Sequence, residues 1–326
     1  MSFKMCLIGC GSLAYWSHSL AYVKYRESHP DFVMAACCDL DAAKAEKMKS
    51  DRGFARAYTD LHEMMTAEKP DAVCVIVPVG ATASVVLQAL EYGVPLMTEK
   101  PPGMTSADTK RLIEAAERKN VPTHVAFNRR FIPLVTEYKK WAAEAGGKIL
   151  YIRYDMQRNG RKETDFSDTA VHGIDAVRHI AGLDYAKIRF THQPLPINGL
   201  KHVYMEAVMG ENTVAHLNFS PVSGIGLERA AIHMTDRTFF INLPLGGYDK
   251  PGTLVEVLNG KTVRSVTSSD VGGDDDFVTS GFYAENEYFF DRVRDGLPLE
   301  HNLKNSLQSV IVMEQYRRNA EFWTAG

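Results

Sequence analysis

The sequence predicts an N-terminal doubly wound parallel sheet (α/β), the Rossmann type of fold. After it comes a domain with a large, mostly antiparallel sheet flanked by helices (α+β). Three observations predict this. The chain has 326 residues, and length divided by ~150 gives about two domains. Its first part alternates short apolar runs with longer mixed ones, the βαβα signature of a parallel sheet covered on both faces. From Lys148 onward the runs alternate apolar and polar residue by residue, as half-exposed antiparallel strands do. The boundary falls near residue 125, giving a first domain over 1–125 and a second over 126–326.

Each element has its own reason. Lys4–Ile8 is short and apolar, a first strand, and Leu13–Tyr25 is longer and mixed, a helix. Phe32–Cys38 is again an apolar strand. Ala42–Arg52 is rich in Ala, Lys, Glu and Met, all good helix formers. Tyr58-Thr-Asp60 begins a helix through Met65. Ala72–Val77 is a nearly continuous apolar strand, as burial on both faces requires. Ala81–Tyr92 is helical and stops at Gly93, a C-cap residue type. Leu96–Glu99 is a strand, Ser106–Lys119 a helix and Val121–Phe127 a strand.

The second half opens with a helix over Phe131–Ala145 that stops at Gly146-Gly147. In Lys148–Gln157, Tyr151, Arg153, Asp155 and Gln157 alternate with Ile152, Tyr154 and Met156, a one-sided strand. Further strands are expected at Ile188–His192, Lys201–Val208, Thr213–Phe219, Arg229–Met234 and Thr238–Leu243. Leu254–Leu258 and Thr262–Val266 form a hairpin around Asn259-Gly260. Helices are expected over Asp168–Ala181, Ala284–Asp295 and Asn302–Phe322. Gly272–Asp276 reads as a solvated loop.

Charge and composition exclude several classes. Lys and Arg number 37 against 40 Asp and Glu, a formal charge of −3, without the basic excess of a general nucleic-acid binder. No stretch approaches the ~18 apolar residues of a membrane span. Leu7-Ile-Gly-Cys10 resembles a lipoprotein cleavage box, but only Met5–Ile8 could serve as its apolar region, where roughly 7–15 residues are needed. Five cysteines, an odd number, all fall in the first quarter of the chain, whereas a secreted scaffold would distribute and pair them. They read as small buried apolar groups in a reducing cytoplasm. No C-x-x-C pair is present, so no metal site is expected.

Gly9-Cys-Gly11-Ser12-Leu13-Ala14 is G-x-G-x-x-A, directly after a strand and opening a helix. The first glycine makes a tight turn, the second admits a pyrophosphate, and the third small residue lets helix and strand pack closely. The anion then sits at the helix N-terminus. The second strand ends at Asp39, where a carboxylate accepts from the ribose hydroxyls of NAD and repels the extra phosphate of NADP. Asp39 could instead cap the following helix, for which Asp41 is better placed. The cofactor expected is NAD. NADP stays open, because Lys44 and Lys47 lie just past Asp39. The interval from Gly9 to Asp39 exceeds the usual ~20 residues, so the first helix or its loop is extended.

Two further motifs narrow the reading. Glu99-Lys100-Pro101-Pro102-Gly103 follows a strand, and Asp168-Thr-Ala-Val-His172-Gly-Ile-Asp175 opens a helix. With G-x-G-x-x-A, these resemble the Gfo/Idh/MocA oxidoreductases (glucose–fructose oxidoreductase, inositol dehydrogenase and relatives). Tyr58-Thr-Asp-Leu, Asn128-Arg-Arg-Phe-Ile-Pro133 and Tyr283–Phe290 with Asp295-Gly296 resemble other family elements in the same order. The resemblance implies a nicotinamide-dependent dehydrogenase or reductase acting on a sugar, sugar derivative or cyclitol. It implies catalytic roles for Lys100, Asp168 and His172, and cofactor contacts at Pro78, Glu99, Lys100 and Arg130. Residue chemistry agrees: imidazole exchanges a proton near neutral pH, Asp168 and His172 share a helix face, and Lys100 can donate to a developing alkoxide. Taken singly, Lys100 is also an ordinary surface lysine and Asp168 a helix N-cap.

This sequence departs from the family at three places. Thr82 stands where relatives often carry histidine, Ala170 replaces a glycine, and Lys162–Ser167 replaces a glycine-rich run. Tyr154, Gln157, Arg158 and Arg161 are candidate substrate contacts, with exposed strand and loop positions as the plainer account. Two other functions stay open on this scaffold: a glycosidase working through transient oxidation, and a non-catalytic dinucleotide sensor. The resemblance also implies a homodimer or homotetramer, with a small polar substrate and no nucleic acid or membrane as partner.

Overall fold

The computed structural model describes residues 2–197, 199–245 and 250–326. Two compact units form, one from Met1–Phe127 with Phe282–Val310, the other from Asn128–Gly281 with Ile311–Gly326. The single boundary expected near residue 125 differs from this division. It leaves Phe282–Val310 in the second domain, whereas the buried Phe289, Phe290 and Leu299 belong to the core of the first unit.

The first unit is a six-stranded parallel sheet. Its elements are β1 (Phe3–Ile8), a π-helical turn (Ala14–His18) leading into α1 (Ser19–Ser28), β2 (Phe32–Cys38), α2 (Ala42–Arg52), β3 (Arg56–Tyr58) and α3 (Leu61–Glu68). They continue with β4 (Ala72–Val75), α4 (Val79–Leu90), β5 (Leu96–Glu99), α5 (Ser106–Lys119) and β6 (Thr123–Ala126). Helix starts follow capping chemistry: the side chains of Asp41, Asp60 and Thr105 accept from backbone N–H groups of α2, α3 and α5. The strand order is β3-β2-β1-β4-β5-β6. The order reverses between β1 and β4, and open α/β sheets take their ligands at the carboxyl ends of such a pair.

The second unit begins with a 3-10 turn (Asn128–Phe131), α6 (Pro133–Ala145) and β7 (Ile149–Asn159). Then come α7 (Ser167–Ala181), β8 (Tyr185–Pro194), β9 (Lys201–Met209), β10 (Thr213–Ser223), β11 (Leu227–Met234) and β12 (Arg237–Asn242). They are followed by β13 (Thr253–Leu258), β14 (Lys261–Thr267), α8 (Ser268–Gly272) and α9 (Asp276–Thr279). After α10 (Phe282–Arg294), which lies in the first unit, α11 (Leu303–Arg317) leads to β15 (Phe322–Thr324). The nine-stranded sheet runs β14-β13-β12-β11-β7-β10-β9-β8-β15. Only its β7–β10 pair is parallel.

Along β7 the alternation holds except at Asp155, which was expected on the exposed face but is buried, its carboxylate taking Arg153, Asn218 and Arg229. Ile152, Tyr154 and Met156 are buried, and α7 lies against them. Gly173 allows that approach, since a Cβ there would meet ring carbons of Phe219 and Tyr154 at 2.9 Å. Asn259 and Gly260 turn the β13–β14 hairpin with φ of +50° and +78°, as a type I′ turn requires. Two readings are corrected. The stretch read as a solvated loop holds the end of α8 and the start of α9, and the last helix stops at Arg317 before a short strand.

Candidate functional site

The first unit holds a cavity of about 780 Å³ at the β1/β4 switch point, lined by Gly9, Gly11, Ser12, Asp39 and Pro78 among others. Gly9 has φ +96°, and a Cβ there would stand 2.0 Å from the Ile76 carbonyl oxygen. Only glycine fits. A Cβ on Gly11 would meet no protein atom within 4 Å. Protein packing therefore does not demand glycine at position 11, but a phosphate lying against the backbone would. Ser12 and Leu13 are exposed at the mouth, and Ala14 is buried beneath it.

Asp39 is held at the end of β2. Its Oδ2 accepts from the Cys10 amide at 2.8 Å and its Oδ1 from the Asp41 amide at 2.9 Å. Asp41 caps α2, so Asp39 is left to face the cavity. Asp39, Asp41 and Asp60 line this end together with Lys44, which is 3.7 Å from Asp41. Such a balance suits ribose hydroxyls better than a further phosphate. Pro78 caps the start of α4, and its carbonyl accepts from Ala81 N and, at 3.3 Å, from the Thr82 hydroxyl. Val77, Ala81 and Val85 give the cavity apolar lining. These residues fit a dinucleotide.

Lys100 follows β5 and is half-buried, with a cis peptide joining it to Pro101. Glu99 beside it is buried and spends both oxygens on protein groups. Oε1 lies 2.8 Å from His18 Nε2, and Oε2 accepts from the Lys100 amide at 3.0 Å. Glu99 was expected at the coenzyme; its two oxygens hold His18 and the Lys100 amide.

In the second unit, Asp168 and His172 lie one turn apart on α7, both half-buried. Phe166, not Asp168, occupies the N-cap position, and no side chain caps there. Asp168 sits one residue inside the first turn, so the capping alternative falls away. Asp175, one turn beyond His172, is fully buried, and its carboxylate takes Arg130 Nε and Nη2 at 2.7 and 2.6 Å. This bidentate pair ties α7 to the 3-10 turn. Arg130 was expected at the cofactor; the structure commits these two nitrogens to Asp175.

The four substrate candidates have protein partners. Tyr154 is fully buried, and its hydroxyl donates to Glu228 at 2.7 Å. Arg158 pairs with the same carboxylate. Gln157 Oε1 accepts from Ser223 Oγ at 3.0 Å. Arg161 is exposed and pairs with Glu163. Glu228 is the buried hub that sequence reasoning missed. Burial alone would raise its carboxyl, but the Arg129 and Arg158 guanidiniums outweigh that and hold it at about 2. The Asn128-Arg-Arg-Phe motif was the one available signal, and nothing in the sequence named its acidic partners. His18 was missed for the same reason.

All five cysteines are free and buried. Among the described residues, no cluster of three or more His, Cys, Asp or Glu could hold a metal, and no helix is long and apolar enough to cross a membrane.

Comparison with known proteins gives three results. Residues 3–127 match the family described as the oxidoreductase family, NAD-binding Rossmann fold. An inositol 2-dehydrogenase of Corynebacterium glutamicum is 30% identical over 193 residues, which cover 56% of this chain and 57% of that protein. The match thus spans little more than half the length of that relative. The fold extends further. A levoglucosan dehydrogenase solved in complex with NADH superposes with a TM-score of 0.85 over 100% of both chains at 18% identity. A UDP-N-acetylglucosamine 3-dehydrogenase from Acidithiobacillus ferrooxidans does so at 0.83 over 98% of both chains, at 19% identity.

Proposed function

We propose that this chain is a Gfo/Idh/MocA-type oxidoreductase, an NAD-dependent dehydrogenase or reductase, a reading supported by the match of residues 3–127 and the inositol 2-dehydrogenase relative. Its substrate would be a sugar, sugar derivative or cyclitol bearing the reacting hydroxyl. The observation that carries the proposal is the cradle at the β1/β4 switch point. There Gly11 leaves backbone bare beside open space, and Asp39 is fixed by two amide bonds.

NAD, when bound, supplies the hydride acceptor. The chain's own residues do the rest. Backbone amides at the start of the Ala14–His18 turn receive the pyrophosphate, and Asp39 accepts from the ribose hydroxyls. His172 takes the proton from the substrate hydroxyl in oxidation and returns it in reduction. Asp168, four residues earlier on the same helix face, orients the imidazole. The Lys100 ammonium donates to the substrate oxygen and stabilises negative charge as it develops there. The dehydrogenase relatives support this assignment of substrate class, since inositol 2-dehydrogenase is a cyclitol enzyme by name.

A homo-oligomer and a cytoplasmic setting belong to the same proposal. The sheet face opposite α7 carries Val214 and Phe240, 37% and 42% exposed, which suits contact with a second copy. Five buried free thiols suit a reducing compartment. Light scattering would test the oligomer, and a monomer at micromolar concentration would refute it.

The principal test is a turnover screen with NAD and a panel of pyranoses, sugar acids and cyclitols, with Lys100→Met alongside. Formation of reduced nicotinamide that the variant abolishes is the expected result. No turnover with any alcohol, despite tight NAD binding, would refute simple polyol oxidation. NAD and NADP affinities, measured with and without Asp39→Ala, test the coenzyme. Tighter NADP binding by the unaltered protein would overturn the assignment.

A further inference from the structure

The π-helical turn between the glycine-rich loop and α1 is an uncommon conformation, and such turns recur at functional sites. Its last residue is His18, fully buried. A wider turn rotates that side chain away from where a regular helix would aim it. His18 Nε2 thereby lies 2.8 Å from Glu99 Oε1.

The opposite ring nitrogen is fixed as well. Asn286, fully buried on α10, donates from Nδ2 to the Phe282 carbonyl at 2.7 Å, which sets the amide orientation. The same Nδ2 lies 3.1 Å from His18 Nδ1. Nε2–H donates to Glu99, whose carboxylate only accepts, and Nδ1 also lies 3.4 Å from Asn286 Oδ1. The Phe282 ring packs edge-on against the imidazole at 5.1 Å. Glu99 passes the constraint on, because its second oxygen accepts from the Lys100 amide at 3.0 Å. A buried carboxylate is stable only with such partners, so removing one frees the other.

We propose that His18 and Asn286 are positioning residues for Lys100, acting through the Glu99 carboxylate. The chain Asn286–His18–Glu99–Lys100 fixes the backbone from which the Lys100 side chain emerges. It also joins that backbone to the turn that receives the coenzyme pyrophosphate. The proposal rests on the catalytic role given to Lys100 above. Displacing a reacting group by about 1 Å can cost 100-fold in rate, so neither residue needs to touch substrate to matter.

Two readouts test this. The first needs no activity: competitive amine labelling of the coenzyme-free protein, read by peptide mass spectrometry. His18→Leu and Asn286→Ala should each change the labelling rate of Lys100 at least threefold, while the exposed Lys110 and Lys140 stay constant. The second is kinetic. Both variants should lose about 10–100-fold in kcat with NAD affinity within threefold of the parent. His18→Gln, whose amide N–H can still donate to Glu99, should recover most of both effects. If His18→Leu does not fold, Asn286→Ala and His18→Gln carry the comparison. Unchanged Lys100 labelling in a folded variant, or His18→Gln as damaging as His18→Leu, would overturn the proposal. Should the parent protein oxidise no alcohol, the dehydrogenase reading fails while the labelling result still decides the positioning role.

Discussion

Glu228 gives the sharpest quantitative expectation. It is fully buried and held by Arg129, Arg158 and Tyr154. Its carboxyl is lowered from the ordinary 4.5 to about 2. At 1.36 kcal/mol per pH unit, the carboxylate is favoured in the folded state by roughly 3 kcal/mol. A depressed folded-state value gives stability that is full above pH 4.5 and lost as pH falls toward 2. Between pH 7 and pH 3.5 the loss from this one group is about 1.4 kcal/mol. Glu228→Gln removes the titration and takes the carboxylate charge away from the buried Arg129 and the half-buried Arg158. It should therefore cost about 3–5 kcal/mol at pH 7, while its stability falls less steeply with acid. Trp141 and Trp323 report on the second unit, so Trp16→Phe serves as the background. Urea unfolding at the two pH values gives the comparison. If parent and variant lose equal stability between them, Glu228 is not held as a buried carboxylate and the reasoning fails.

Two other substitutions have direct expectations. Gly9→Ala places a methyl group 2.0 Å from the Ile76 carbonyl oxygen at a φ of +96°, so NAD binding measured by fluorescence titration should be abolished; retained affinity would show that the turn can shift. Gly173→Ala crowds the rings of Phe219 and Tyr154, both 2.9 Å from the new carbon, and thermal unfolding should show a loss of about 1–3 kcal/mol.

Local chemistry made much of the fold legible. Phe32–Cys38, Ala42–Arg52, Leu96–Glu99 and Ser106–Lys119 are bounded in the structure where apolar runs, caps and glycine bound them in the sequence. The three-residue strands Arg56–Tyr58 and Phe322–Thr324 were invisible, because so few residues show no period and form only against a neighbour. The glycine-rich turn and Asp39 could be read because both lie close to the helix starts they serve. Glu228, Asp175 and His18 could not. Their partners stand 99, 45 and 81 positions away, and a lone buried charge looks like any surface residue until its counter-charge is known. The Ala14–His18 turn was read as ordinary helix, since no residue type distinguishes its wider winding.

The return of Phe282–Val310 to the first unit bears on biosynthesis. Phe290 packs edge-on or tilted among Phe3, Phe32, Tyr22 and Tyr25, with ring centroids 4.8 to 6.2 Å away. A ribosome releases the N-terminal 127 residues long before it reaches those that complete their core. The nascent Rossmann half must wait, with an aromatic surface uncovered, while some 150 intervening residues emerge. An expression fragment cut at Phe127 would reproduce that unfinished state indefinitely. A self-sufficient version would need the Phe282–Val310 segment spliced on by a linker.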